Sequence, residues 1–415
     1  MPTLTPTEPV IGHCQSCGAE VPPDSDHCPS CGRLIRERST KITIALTLLM
    51  IFAGVILTQA FVNLHRTSEM SLARRWFTRG EEAMQAHAPK YAEEDYRTAL
   101  NYDRENQQYR LRLAQALVAD NRFAEARAHL ISLWEEEPAN GEVNLTLGRL
   151  EALRGHYSQA IRYYNDAING VWPNDPRKQR TEARFELARY MMQQQRWGRA
   201  QAELLTLLAD APTDPGDLLL LGNMLVQVNE PAHALQAYNA LLSQDKQNAQ
   251  AWLGESQAYL ALRNYAEADR TAAKAVEIDP NLDGARQQLE LTRELLRINP
   301  ALRELPLAER ANRVAEAFSS ALTRLNTCAT EQHIDLAASL GAAAAPNPLQ
   351  LLFTSGLHKQ VDATAKALRK DPDALEPAMQ YVFEVERTTA PICPNMDVTD
   401  RALLTLAQHE NESVK

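Results

Sequence analysis

Residues 249–282 read AQAWLGESQAYLALRNYAEADRTAAKAVEIDPNL, and this stretch determines the fold class because its pattern recurs along the chain. Units of the same 34-residue length start at six positions: Ala73, Gln107, Gly141, Thr181, Pro215 and Ala249. The third interval is 40 residues instead of 34, because it contains a six-residue insertion at 175–180. A fixed period of this length predicts an array of six helical hairpins over residues 73–282.

Two positions of every unit carry small side chains. The eighth position holds Gly80, Ala114, Gly148, Ala188, Gly222 and Ser256. The twentieth position holds Ala92, Ala126, Ala160, Ala200, Ala234 and Ala268. Small residues are needed where two helices cross closely, since a larger side chain would push the backbones apart. The pattern therefore predicts two tightly crossed helices in each unit.

These six units resemble the tetratricopeptide repeat (TPR), a helix–turn–helix element. The resemblance implies an α-solenoid whose first helices line a concave groove that holds a peptide segment. Position 32 holds a turn proline in three units, Pro138, Pro212 and Pro280. Arg104 and Lys246 stand there in two other units, and Trp172-Pro173 is shifted by one residue in a third. We therefore expect looser turns at these three places.

The resemblance also implies contact residues, since TPR grooves are lined mainly by positions 2, 5, 9 and 12 of the first helices. Position 5 is apolar and position 9 is polar in every unit, which suits a peptide with alternating anchors. The predicted groove residues are Phe77, Leu111, Gln115, Leu145, Arg149, Phe185, Arg189, Asn223 and Gln257. The two arginines favour an acidic peptide. Alternatively, position 5 is ordinary core, and Arg149 and Arg189 only pair with Glu142 and Glu182 on a solvated face.

Four cysteines lie close together near the N-terminus, as two C-x-x-C-G motifs: Cys14, Cys17, Cys28 and Cys31. Zn²⁺ prefers four soft ligands at tetrahedral corners, and each motif presents two thiolates on one turn. Residues 12–33 therefore resemble a zinc ribbon, with a closed site that folds the segment and does not catalyse. An iron site or two disulfides are the alternatives. Residues 1–11 are predicted to be a flexible tail.

An uncharged stretch of 23 residues, 42–64, reads ITIALTLLMIFAGVILTQAFVNL. It is long enough to cross the hydrocarbon core of a bilayer, so it predicts one transmembrane helix and a lipid bilayer as a partner. A cleaved signal peptide is the alternative, but the apolar run is too long and starts too far from the N-terminus.

Basic residues flank this helix on both sides, so the positive-inside count is nearly balanced and does not decide its orientation. The chemistry of the four cysteines decides it instead. Four ligand cysteines stay reduced most easily in the cytosol. We therefore expect a single-pass protein of the bacterial inner (cytoplasmic) membrane. Its N-terminus is cytoplasmic, and its repeats and C-terminal part are extracytoplasmic.

The remaining residues predict a capping helix at 283–298 and a C-terminal helical domain at 299–415, because apolar residues recur there at helical spacing. One predicted helix of this domain covers 349–369, and loops are predicted at 342–348 and 388–395. This domain holds the other two cysteines, Cys328 and Cys393. In an oxidising compartment they would form a disulfide that closes a loop of about 65 residues. Two separate buried thiols are the alternative. The predicted fold class is thus all-α, a TPR-type solenoid plus a C-terminal helical domain, with a small zinc ribbon and one transmembrane helix.

Composition excludes several classes of function. A net charge of −10, from 43 basic and 53 acidic residues, gives no reason to expect nucleic acid as a partner. The chain contains no G-x-G-x-x-G, P-loop or H-E-x-x-H motif, and no small-molecule substrate is evident. We therefore expect a membrane-anchored scaffold, not an enzyme, that binds peptide segments of partner proteins during envelope or complex assembly. An enzyme or enzyme subunit with its site in the C-terminal domain is the alternative.

Overall fold

The computed structural model describes residues 12–23, 25–35, 37–336, 347–354 and 363–413, which contain eighteen α-helices and one two-stranded sheet. The predicted flexible tail, residues 1–11, and most of the loop expected at 342–348 lie outside this description. The chain divides into two compact units, residues 1–160 and 161–415.

The first unit begins with two short hairpin-like turns. Strand β1 (Gly12–His13) pairs with strand β2 (Glu20–Val21) in antiparallel register, and Gly12 lies opposite Val21. The second turn is closed by an isolated antiparallel bridge between His27 and Leu34. Each C-x-x-C motif is therefore held between paired backbone segments.

A single helix of 49 residues, α1 (Glu37–Gln85), follows the hairpins. It contains both the apolar stretch and the first helix of the first repeat, which the sequence predicts as separate elements. They merge because no glycine or proline lies between Leu64 and Ala73 to end the helix. At 1.5 Å per residue, α1 is about 73 Å long. Its part from Ile42 onward is long and apolar enough to cross a membrane.

Four further helices complete the repeats of the first unit, and each packs on its neighbour in the chain. They are α2 (Pro89–Tyr102), α3 (Gln107–Ala119), α4 (Phe123–Glu136) and α5 (Gly141–Leu153). Helix α6 (Tyr157–Ile168) spans the boundary between the two units.

The second unit continues with six helices that form three hairpins. They are α7 (Pro176–Gln193), α8 (Trp197–Ala209), α9 (Pro215–Gln227), α10 (Pro231–Gln244), α11 (Ala249–Ala261) and α12 (Tyr265–Ile278). The inserted residues 175–180 do not form a separate loop. They supply the N-cap residue and the first five residues of α7. Asp175 caps this helix by accepting a hydrogen bond from the amide of Lys178, and Pro176 suits the first helical position.

Small residues at positions 8 and 20 lie where the helices of a hairpin cross, as the sequence predicts. All six alanines at position 20 have no exposed surface. In the last hairpin, the hydroxyl of Ser256 donates a hydrogen bond of 2.7 Å to the carbonyl of Ala268. A Cβ on Gly80 would lie 2.4 Å from the ring of Tyr96, so glycine is required there.

The turn inside each hairpin has one residue with left-handed backbone geometry, always at position 15. These residues are His87, Asn121, Gly155, Gln195, Asn229 and Arg263. A left-handed residue just after a helix end satisfies the last free carbonyls of that helix. Only one of the six is glycine, so a glycine pattern in the sequence does not reveal this left-handed position.

Helix α13 (Ala285–Ile298) follows the last repeat, where the sequence predicts a capping helix. It packs against α12 on one side and against the C-terminal helix α18 on the other. The helices beyond it are α14 (Leu307–Glu331), α15 (Pro348–Thr354), α16 (Ala365–Lys370), α17 (Leu375–Thr389) and α18 (Val398–Ser413). The sequence predicts one helix over 349–369; the structure describes two short helices there, and residues 355–362 lie outside the description.

The C-terminal helices share one hydrophobic core with the end of the solenoid. Tyr265 of the last repeat and Leu295 and Ile298 of α13 belong to the same buried cluster as Phe318 and Tyr381. The Tyr265 hydroxyl also lies 2.9 Å from Nδ1 of His409 on α18. The described helices α14 to α18 are therefore continuous in packing with the last repeat.

Candidate functional site

The four N-terminal cysteines form one compact cluster. Their sulfur atoms all lie within 4.8 Å of one another. Sγ of Cys14 is 3.7 Å from that of Cys31, and Sγ of Cys17 is 3.4 Å from that of Cys28. Two sulfurs bound to one tetrahedral zinc are about 3.8 Å apart, given Zn–S bonds of about 2.3 Å. The cluster therefore has the size and donor set that a metal ion needs.

The two motifs hold their cysteines by the same backbone arrangement. The amide of Gly18 donates to the carbonyl of Cys14, and the amide of Gly32 donates to that of Cys28, each at 2.8 Å. Both glycines have left-handed φ angles, 70° and 69°, which residues with a Cβ rarely adopt. This explains why glycine follows each motif.

Backbone amides favour the thiolate at one ligand of each motif. The amides of Ser16 and Cys17 lower the pKa of Cys14 to about 6, because they donate toward its sulfur. Burial raises the pKa of Cys28, but the amides of Ser30 and Cys31 outweigh it and lower that pKa overall. A metal ligand must be a thiolate, so the backbone around Cys14 and Cys28 suits metal binding.

Cys328 of α14 and Cys393 of the segment after α17 are joined in a disulfide, with Cα atoms 5.8 Å apart. Arg324, one helical turn before Cys328, donates hydrogen bonds to the carbonyls of Cys393 and Asn395. The same segment is thus held to α14 by a covalent bond and by a buried guanidinium.

In the first unit, several predicted groove residues lie in the core. Leu111 and Leu145 are only 6% and 4% exposed, and the ring of Phe77 stacks on that of Tyr109 at 4.7 Å. Their burial favours the alternative interpretation of position 5 as core. Gln115 bonds to neighbouring side chains, since it accepts from Arg112 at 2.6 Å.

Exposed arginines occur in both units. Arg149 is exposed on α5, while Glu142, its suggested partner, accepts a hydrogen bond of 2.7 Å from Arg112. Arg189 is exposed on α7 of the second unit, where Phe185 is 3% exposed and belongs to the core. The two remaining predicted groove residues, Asn223 and Gln257, are both exposed.

In the second unit, Asn223 and Gln257 face one cavity of about 620 Å³. Leu219 and Leu253, which occupy position 5 of their repeats, line it as well and are half-buried. The structure therefore brings together positions 5 and 9 of the last two repeats in one concave site. A cavity of this size, with apolar and hydrogen-bonding walls, can hold a short peptide segment.

Other residues of this cavity are not among the predicted groove residues. Gln250 stands at position 2 of its repeat, one of the four positions expected to line a groove. Asp279 and Asp283 come from the turn after α12, which the repeat pattern does not associate with the groove. The sequence does not indicate that these two aspartates line the cavity, because only the folded turn brings them beside α11.

A buried carboxylate was also missed. Glu386 lies at helix-surface spacing in the sequence, yet its side chain has no exposed surface in the structure. Among the described residues, neither of its oxygens has a hydrogen-bond partner. The pKa of Glu386 is raised to about 8, mainly by burial; the charge of Asp400 contributes to the rise, and Arg324 opposes it. A neutral, buried acid of this kind bears on stability.

Comparisons with known proteins identify the repeats. Two sequence profiles described as tetratricopeptide repeat match residues 117–171 and 219–283. No curated protein sequence matches the chain. The chain therefore contains tetratricopeptide repeats in an all-α solenoid fold. Repeats of this class form protein-interaction scaffolds and are typically not enzymes.

Three solved structures with similar folds illustrate the match. YrrB, described as a TPR protein with an unusual peptide-binding site, is 18% identical, and the match covers 46% of this chain and 96% of YrrB, with a TM-score of 0.36. PilF of Pseudomonas aeruginosa is 15% identical, over 53% and 97% of the two chains, with a TM-score of 0.38. The C-terminal part of a repeat protein from Cytophaga hutchinsonii is 12% identical, over 79% and 99%, with a TM-score of 0.41.

Proposed function

We propose that this protein is a membrane-anchored scaffold whose repeats bind peptide segments of partner proteins during envelope or complex assembly. The observation that carries the proposal is the cavity lined by Leu219, Asn223, Leu253 and Gln257, which combines two apolar anchors with two exposed amides. An extended peptide needs both, since its side chains require apolar contacts and its backbone requires hydrogen-bond partners.

Membrane anchoring is supported by helix α1. Its apolar side chains face outward, with Phe52 66% and Leu64 75% exposed. Its most apolar stretch of 18 residues has a mean hydropathy of 2.2. Exposed apolar side chains at this density need a nonpolar surrounding, and a bilayer provides one. We place the N-terminus in the cytosol and the repeats outside, because the disulfide of Cys328 and Cys393 suits an oxidising compartment.

Zinc is the metal we assign to the cysteine cluster. Four thiolates without nitrogen or oxygen donors favour a soft, tetrahedral ion, and zinc fits the observed sulfur spacing. When bound, zinc would hold the two turns together through Cys14, Cys17, Cys28 and Cys31. With all four positions filled by protein, the site would stabilise the segment and would not catalyse.

Photocrosslinking in cells tests the peptide-binding role. A photoreactive phenylalanine analogue at Gln257 would react with whatever occupies the cavity, whereas the same analogue at Arg270, exposed on helix α12, serves as the control. We expect crosslinks from position 257 to map to short segments of one or a few proteins. If both positions label the same proteins at the same sites, the cavity is not the binding site.

Protease protection in spheroplasts tests the topology. We expect a membrane-impermeant protease to digest the part that follows residue 64 and to leave residues 1–41 intact. Cys328 and Cys393 should then react with an alkylating reagent only after reduction. Protection of the repeats would place them in the cytosol and would reverse the proposed orientation.

A further inference from the structure

We infer that the cavity between α9 and α11 selects a cationic peptide segment, with a lysine or arginine placed beside an apolar residue. The inference rests on the proposed peptide-binding function and adds the chemistry of the partner. It reverses the acidic preference that Arg149 and Arg189 suggest in the sequence, since neither of them lines this cavity.

The charge of the cavity is the first argument. Of its twelve lining residues, two are acidic, Asp279 and Asp283, and none is basic. The Asp283 side chain is exposed. Asp279 accepts a hydrogen bond of 2.9 Å from the amide of Asn281 through Oδ1, so its other oxygen remains able to accept from a ligand. Two carboxylates at one end of a concave site attract a cation and repel an anion.

The amide side chains are the second argument. Five residues of the lining carry carboxamides: Asn223, Gln227, Gln250, Gln257 and Asn281. Each carboxamide can both donate and accept, which matches the alternating N–H and C=O groups of an extended peptide. Oδ1 of Asn223 accepts from the hydroxyl of Tyr238 at 2.7 Å, and this bond directs the side chain. A ligand without a backbone, such as a free cation, would use few of these groups.

The apolar part of the lining completes the description of the occupant. Leu219 and Val226 on α9 and Leu253 on α11 are partly exposed. Leu282 lies in the same turn as Asp279 and Asp283. An apolar side chain of the peptide would rest on these leucines, and a neighbouring basic side chain would reach Asp279 and Asp283. The occupant is therefore an extended segment of mixed basic and apolar character.

A random dodecamer library displayed on phage tests both the site and its charge preference, with the full-length protein in detergent as the target. We expect enrichment of sequences with lysine or arginine next to leucine-like residues. Synthetic versions of the enriched peptides should bind about tenfold more weakly to Asp279→Asn/Asp283→Asn, because two partly exposed ion pairs are lost. Their affinity should also fall as salt is raised.

A matched control comes from the preceding repeat. Asp245 occupies the same repeat position as Asp279 and accepts the same turn hydrogen bond, from the amide of Gln247 at 2.9 Å, but it does not line the cavity. Asp245→Asn should leave binding unchanged. Gln257→Trp fills the cavity from an exposed position and should abolish binding, while circular dichroism should show an unchanged fold for all variants.

The outcomes separate the inference from the proposed function. If no peptide is enriched, or if Gln257→Trp binds the enriched peptides normally, the cavity binds no peptide and the proposed function fails with the inference. If binding depends on the cavity but the peptides are neutral or acidic, or tolerate the double asparagine variant, the proposed function stands and the cationic preference is wrong.

Discussion

The hydroxyl of Tyr238 donates a hydrogen bond of 2.7 Å to Oδ1 of Asn223, and so connects the core of a repeat to a residue of the candidate site. The same relationship occurs in the first repeat, where Tyr96 donates to Glu81 at 2.6 Å. Both tyrosines stand at position 24 and both acceptors at position 9. A buried tyrosine needs a partner for its hydroxyl, and here that partner is a side chain of the predicted groove face.

The ring of Tyr238 occupies the space that glycine leaves at Gly222. A Cβ built on Gly222 would lie 2.4 Å from this ring, so Gly222→Ala forces the ring or the helix to move. We expect a loss of about 1–3 kcal/mol in the free energy of unfolding, as overpacking of a core usually costs. Thermal unfolding followed by circular dichroism measures it.

Gly198→Ala is the matched control for this substitution. Gly198 also lies inside a helix, α8, but a Cβ there would meet nothing within 4 Å. Alanine should therefore be neutral or stabilise the protein by up to about 1 kcal/mol through helix propensity. Equal stabilities for the two variants would contradict the packing argument.

Removing only the hydroxyl separates the hydrogen bond from the packing. Tyr238→Phe keeps the ring over Gly222 and deletes the bond to Asn223. We expect a loss of about 1 kcal/mol in stability, the usual net value of one hydrogen bond. Peptide affinity at the cavity should also fall, because Asn223 loses the contact that directs it. Unchanged affinity in a binding titration would show that Asn223 is positioned by other means.

The repeat pattern predicts the helix pairs and their close crossings because both depend on residues near in sequence. Gly222 and Ala234 mark one crossing in the sequence, and both are buried in it. Burial at position 5 could not be predicted in the same way. Phe77 is covered by Tyr109 of the following repeat, a contact that depends on how two repeats stack.

The chemistry of the candidate site depends on contacts that the sequence does not encode locally. Asp279 is 22 residues from Gln257 in the chain, and only the turn after α12 brings it to the same cavity. The cysteine cluster was easier to predict, since each motif places two sulfurs within one turn. Glu386 lies on α17, which packs against both α14 and α18, so its burial depends on helices from other parts of the chain.

Exchange of a single cysteine tests the metal site. We expect the purified protein to carry about one zinc ion per chain, and Cys14→Ser to lose it, because a closed site requires all four thiolates. Ser16→Ala, between two of the ligands, should retain zinc since it removes no sulfur. Elemental mass spectrometry measures the metal. Iron in place of zinc, or full zinc in Cys14→Ser, would refute the assignment.

Loss of the disulfide should destabilise the C-terminal helices. Cys328→Ser with Cys393→Ser opens a loop of 65 residues. Loop entropy predicts a cost of about 4 kcal/mol, and the hydrogen bonds from Arg324 to the same segment remain. Chemical unfolding with and without a reductant measures it. The reductant should destabilise the wild-type protein and leave the double variant unchanged; equal effects on both would argue against a disulfide in the native protein.

Glu386 should make stability depend on pH in a predictable direction. Burial, with Asp400 nearby, raises the pKa of Glu386 in the folded protein to about 8, above its ordinary value of 4.5. Between these two values the folded state holds a proton that the unfolded state has lost. Stability therefore falls as pH rises from about 4.5 to 8, by at most roughly 1.4 kcal/mol per pH unit from this group.

Glu386→Gln keeps the shape of the neutral acid and removes its titration. The variant should match the wild-type protein near pH 4.5 and exceed it in stability by a margin that grows up to about pH 8. Glu384→Gln, exposed on the same helix, controls for the loss of a carboxylate. Thermal unfolding of all three proteins across this range gives the comparison. A stability difference between Glu386→Gln and wild type that stays constant with pH would mean that Glu386 does not titrate in this range, and that the fold tolerates its charge.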